Sequence, residues 1–71
     1  MDMARSVKEC AERVVSALQK TERVNVLSVA EILGERNAIV YQSIGWLAHE
    51  GRILYLQEGN QVYISLAAEQ A

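Results

Sequence analysis

The side chains that could carry chemistry are few. The chain of 71 residues holds one histidine, His49, and one cysteine, Cys10. A single cysteine cannot close an internal disulfide, and one histidine with one cysteine does not make a metal-ligand set. No carboxylate pair suited to acid–base work appears, and no glycine-rich loop is placed to cradle a phosphate. Cys10 falls on the apolar stripe of a helix and reads as a small core residue. His49 falls near a helix C-terminus, where a positive charge is favoured. The expectation is a protein that is not an enzyme and that uses no cofactor and no metal.

Composition narrows the class further. Apolar residues make up 51% of the chain and charged residues 23%, which suits a folded domain rather than a disordered segment. The apolar runs are only a few residues long, too short to span a bilayer. The start, Met1-Asp2-Met3-Ala4-Arg5, lacks the basic segment and apolar run of a secretory signal, so a cytoplasmic protein is expected. A chain of this length buries only about 60% of its unfolded surface. It is therefore marginal as a monomer, which leaves self-association open. The net charge of −2 and pI near 5.2 oppose a strongly basic nucleic-acid binder. The charge is unevenly placed: residues 1–23 sum to +1, residues 24–35 to −2 and residues 36–71 to −1. No segment forms a basic patch.

The elements that must position these residues follow from the hydrophobic pattern. Val7, Cys10, Ala11, Val14, Val15 and Leu18 form one stripe of a 3.6-residue period, a first helix. Arg5–Glu9, Lys8–Glu12 and Glu9–Arg13 stand at i,i+4 on its outer side and predict local ion pairs. Val24 to Leu27 reads as a brief strand. Ser28 and Glu31 are spaced as a capping box for a short second helix over 29–33, which Gly34 ends in a left-handed conformation. Asn37 is the expected N-cap of a third helix, closed by Gly51. On that helix Val40, Ile44 and Leu47 cluster on one side. Ala38, Gln42, Gly45 and His49 lie opposite, with Ile39 and Trp46 on one flank and Tyr41 on the other. Beyond Gly51 the period becomes two. Leu56 opposite Val62 and Leu54 opposite Ile64, across a three-residue loop from Glu58 to Asn60, collects the apolar residues on one face. That register sets Tyr55 opposite Tyr63 and gives Asn60 the left-handed turn position. The tail from Ala67 to Ala71 is expected to fray.

The order helix-strand-helix-helix-strand-strand, carried by Ser28-Val29-Ala30-Glu31-Ile32-Leu33-Gly34 and by Val40 to Ile53, resembles the winged helix-turn-helix domains of bacterial regulators. More narrowly, Ile44-Gly45-Trp46-Leu47-Ala48 in so short a chain resembles a small family of stand-alone prokaryotic winged-helix domains of unknown function. The resemblance implies an α+β fold with three helices and a small antiparallel sheet. Residues 1–71 would be a single domain, ordered over about 4–66, and the resemblance implies a homodimer. It also implies a DNA-binding role in transcription regulation, with the third helix in the major groove and the wing on the backbone. On this chain the groove-facing positions would be Ala38, Tyr41, Gln42, Gly45 and His49. Gln42 suits an adenine edge and Tyr41 a phosphate. Arg36 and Arg52 would neutralise phosphates, and Asn60 would sit on the wing. The alternative is a winged-helix interaction or dimerisation module that does not bind nucleic acid. It draws on apolar residues left over by the core: Ile39 and Trp46 on the third helix, and Ile53, Tyr55 and Tyr63 on the outer sheet face.

Overall fold

Helix α1 spans Met3–Leu18, and its first turn is capped by the Asp2 side chain, which accepts a hydrogen bond from the Arg5 N–H at 3.2 Å. The structure, a computed structural model, describes residues 2–67. After α1 come strand β1, Val24–Asn25, a single 3₁₀ turn over Val26–Ser28, and helix α2, Val29–Leu33. Helix α3 spans Asn37–His49, and strands β2, Ile53–Glu58, and β3, Gln61–Leu66, form the hairpin. The three strands make one antiparallel sheet in the order β1-β3-β2. This is the expected α+β arrangement of a winged helix-turn-helix.

The apolar stripe of α1 is the wall of the core. Cys10, Ala11, Val14, Val15 and Leu18 are buried against Ile39, Val40, Ile44 and Leu47 of α3, with Val29, Ile53 and Ile64 closing the ends. Between α1 and α3 lies one buried polar side chain. The Ser43 hydroxyl stands 2.7 Å from the Ile39 carbonyl oxygen and 3.0 Å from that of Val7, so its single proton is shared between the two helices. Gly34 ends α2 at φ +65°. The Gly34 N–H donates to Glu31 O and the Glu35 N–H donates to Ala30 O, the paired bonds of a Schellman stop. The same pair of bonds closes α3, from Gly51 to Ala48 O and from Arg52 to Leu47 O.

Several local expectations are corrected. The Ser28–Glu31 capping box does not form: Ser28 is itself helical and makes no side-chain cap bond. The cap moves three residues upstream, where the Asn25 side chain accepts from the Leu27 N–H at 2.9 Å and starts the 3₁₀ turn that feeds α2. Arg36, not Asn37, is the N-cap of α3. It is extended, and its carbonyl already accepts from the Ile39 and Val40 N–H groups. The charges on α1 reach across elements instead of along the helix. Arg13 bonds the Leu33 carbonyl and pairs with Glu35, and Glu12 pairs with Arg52 at 3.3 Å.

The hairpin register is also different. The loop is the two residues Gly59 and Asn60, so Leu54 faces Ser65, Tyr55 faces Ile64, Leu56 faces Tyr63 and Glu58 faces Gln61. Gly59 takes φ +62° at the first loop position, as a type II′ turn requires, and Asn60 stays out of the left-handed region. A shift of one residue exchanges the faces of β2 against β3. Ile53 therefore turns inward with Ile64 and is 2% exposed, while Leu54 and Leu56 face solvent. Ile39 is likewise a core residue at 2% exposure, not a spare flank residue. With α1 lying alongside, the buried arc of α3 widens to include Ile39 and Ser43. Ala67 is buried and its N–H donates to Arg52 O, which ties the end of β3 to the base of β2. The rest of the tail expected to fray, residues 68–71, lies outside the described residues.

Candidate nucleic-acid interface

The outward side of α3 is a direct product of its packing. Because Ile39, Val40, Ser43, Ile44 and Leu47 point inward, Asn37, Ala38, Tyr41, Gln42, Gly45 and His49 remain exposed on a helix of 13 residues. Ala38, Tyr41, Gln42, Gly45 and His49 thus share one solvent-facing surface, with Tyr41 44% exposed. A Cβ on Gly45 would meet nothing within 4 Å, so no contact within the chain demands glycine there. The smooth spot it leaves lets another backbone come close.

Arg36 lies at the N-terminal end of this surface, exposed; its N–H donates to the Glu35 side chain at 2.9 Å. Arg52 does not join it. Its guanidinium lies 3.3 Å from Glu12, so a phosphate there would have to compete with that carboxylate. Cations the sequence reading set aside lie closer. Arg5 and Lys8 of α1 line an open groove with Gln42 and Trp46 of α3, together with Asp2, Met3 and Val7. Among the described residues neither Arg5 nor Lys8 makes an ion pair. Their i,i+4 spacing predicts pairs with Glu9 and Glu12, which do not form. Only the cross-element position of Arg52 shows that Glu12 is engaged elsewhere. Trp46 is half-buried against this same end of α1, inside its own chain.

On the wing, Asn60 is exposed at the turn, as is Tyr55 on β2. The outer sheet face is knitted by Arg23, which the sequence reading did not single out. Its guanidinium bonds Glu58 at 2.6 Å and stacks 4.1 Å from the centre of the Tyr63 ring. Tyr63 is therefore covered by Arg23 and faces Leu56, not Tyr55. The hydrogen bond from Arg23 holds the Glu58 carboxyl below the usual carboxylate range, and Glu58 in turn raises the Arg23 value. Asn25 bonds Gln61 beside this pair. The wing therefore presents its positive charge already matched. Among the described residues no group of three histidine, cysteine or acidic side chains could hold a metal ion. No helix among them is long and apolar enough to cross a membrane.

No family model matches the chain, and no curated protein matches it. Among solved structures, the crystal structure of a possible transcriptional regulatory protein from Mycobacterium bovis, a fragment of residues 1–100, is similar. The TM-score is 0.68 at 18% identity, over 96% of this chain and 77% of that one. At that identity the likeness speaks for architecture: this chain has the fold of a winged helix-turn-helix.

Proposed function

We propose that this chain is a small DNA-binding domain of the transcription-regulator type, with the outer side of α3 in the major groove and the wing beside it. The observation that carries the reading is the uncovered polar surface of α3, where Tyr41 and Gln42 stand exposed around the bare backbone at Gly45. Gln42 has the donor–acceptor pair that reads an adenine edge, and Tyr41 a hydroxyl for a phosphate. Arg36, Arg5 and Lys8 supply the phosphate contacts, while Arg52 stays with Glu12. The similarity to a possible transcriptional regulatory protein favours the same reading. No step of bond making or breaking is involved.

Three cations make few phosphate contacts, so binding is weak and its salt dependence shallow, with a slope of log K against log salt of about −3. Titration of the full chain into labelled duplex DNA at low salt checks this. Saturable binding with that slope supports the reading, and no binding at high micromolar protein eliminates it. A second reading, an interaction module without nucleic-acid affinity, is favoured by a different region. Leu54, Tyr55 and Leu56 are 51%, 53% and 38% exposed in a row along one strand.

A further inference from the structure

That row lies on a strand whose outer edge no described residue pairs. The sheet order is β1-β3-β2, so β1 and β2 are its two edges. β1 is two residues long and runs straight into a 3₁₀ turn, which leaves little edge to template on. β2 is six residues long, with no proline, lysine or bulge to guard it. Its flanking charges are taken within the chain, Arg52 by Glu12 and Glu58 by Arg23.

We propose that the free edge of β2 pairs with β2 of a second copy of this chain, antiparallel, about a two-fold axis at Tyr55, to give one continuous six-stranded sheet. The backbone phase sets the register. Ala67 N–H bonds Arg52 O, so the backbone of Arg52 faces β3. Alternation then turns Leu54, Leu56 and Glu58 toward β3 and turns the N–H and C=O of Ile53, Tyr55 and Gln57 outward. An axis at Tyr55 sets Tyr55 against Tyr55 of the second copy, and Ile53 against Gln57 on both sides. All three outward residues then exchange hydrogen bonds. An axis at Leu54 or Leu56 engages only two such pairs on the edge, and it sets a leucine opposite Arg52 or Glu58.

The side chains select the same register independently. With the axis at Tyr55, Leu54 of each copy lies opposite Leu56 of the other, so four exposed leucines close on one another on the outer face. On the inner face the two half-exposed Tyr55 rings meet. Such apolar and aromatic cross-strand pairs are the stabilising unit of a sheet. Backbone phase and side-chain pairing therefore agree on one self-complementary arrangement, which is what a two-fold interface demands. The pairing stands whether or not α3 meets DNA.

Sedimentation equilibrium of the full chain tests it, with a dimer expected at micromolar concentrations. Tyr55→Pro removes an N–H that points away from β3, so the hairpin ladder survives while the pair on the axis is lost; a monomer is expected. Leu54→Lys also gives a monomer. Adding Leu56→Glu to it sets opposite charges across the axis twice and restores the dimer. Circular dichroism checks that each variant is folded, and if Tyr55→Pro fails to fold the charge pair decides alone. A wild-type chain that stays monomeric at several hundred micromolar overturns the proposal. So does dimer mass retained by folded Tyr55→Pro or Leu54→Lys, or a folded double variant that remains monomeric.

Discussion

The outward side of α3 and the free edge of β2 are both exposed, but for opposite reasons. The first is exposed because Ile39, Val40, Ile44 and Leu47 of α3 are drawn inward to the core, leaving Tyr41, Gln42 and the bare backbone of Gly45 outside. The second is exposed because the register that buries Ile53 sends Leu54 and Leu56 outward. A polar surface over a packed helix needs nothing further for stability. An apolar strand edge with unmatched backbone groups does. The two regions are therefore suited to different kinds of contact, one reversible and salt-sensitive, the other driven by burial.

The two regions rest on one support. Leu47 is fully buried beneath both, on α3 and next to the base of β2. Leu47→Ala should cost about 2–5 kcal/mol. Thermal melts followed at the helices and at the hairpin should fall together; separate transitions would show two independent units. Gly45→Ala sharpens the contrast. Its Cβ meets nothing within 4 Å, so the variant should gain about 0.5–1 kcal/mol in denaturant unfolding while binding DNA more weakly. A variant both more stable and equally good at binding would place the duplex elsewhere.

The smallest effect concerns the end of the strand. Glu58 ionises more readily when folded, so its stabilisation is present above the ordinary value of 4.5 and is lost as pH falls through the lowered folded value. Glu58→Gln should flatten that acid-side loss and leave the core transition otherwise intact, read as denaturation midpoint against pH. An unchanged pH profile would mean that Arg23 does not hold the wing through Glu58.

The helices and their order are legible in the sequence because the stripe from Val7 to Leu18 and the stop at Gly34 each have one good reading. The outward side of α3 follows by subtraction from Val40, Ile44 and Leu47. The hairpin was not legible in the same way. Ile53, Leu54, Tyr55 and Leu56 are all apolar, so alternation gives no contrast between the two faces, and a loop of two or three residues decides it. The two-residue loop, with Gly59 at positive φ, gave the less tidy face and the buried isoleucine. Cross-element partners such as Arg52 with Glu12 and Arg23 with Tyr63 were hidden for a simpler reason. Sequence separation says nothing about which surface charges become neighbours once helices pack.

The shared proton of Ser43 has a mechanical corollary. A hydroxyl wedged between two backbones works as an index pin: α3 cannot roll about its long axis without pulling that proton away from the Val7 carbonyl of α1, while the bond to Ile39 turns with its own helix. The compass bearing of Tyr41 and Gln42 is thus inherited from α1, through a side chain wholly hidden from the surface they present.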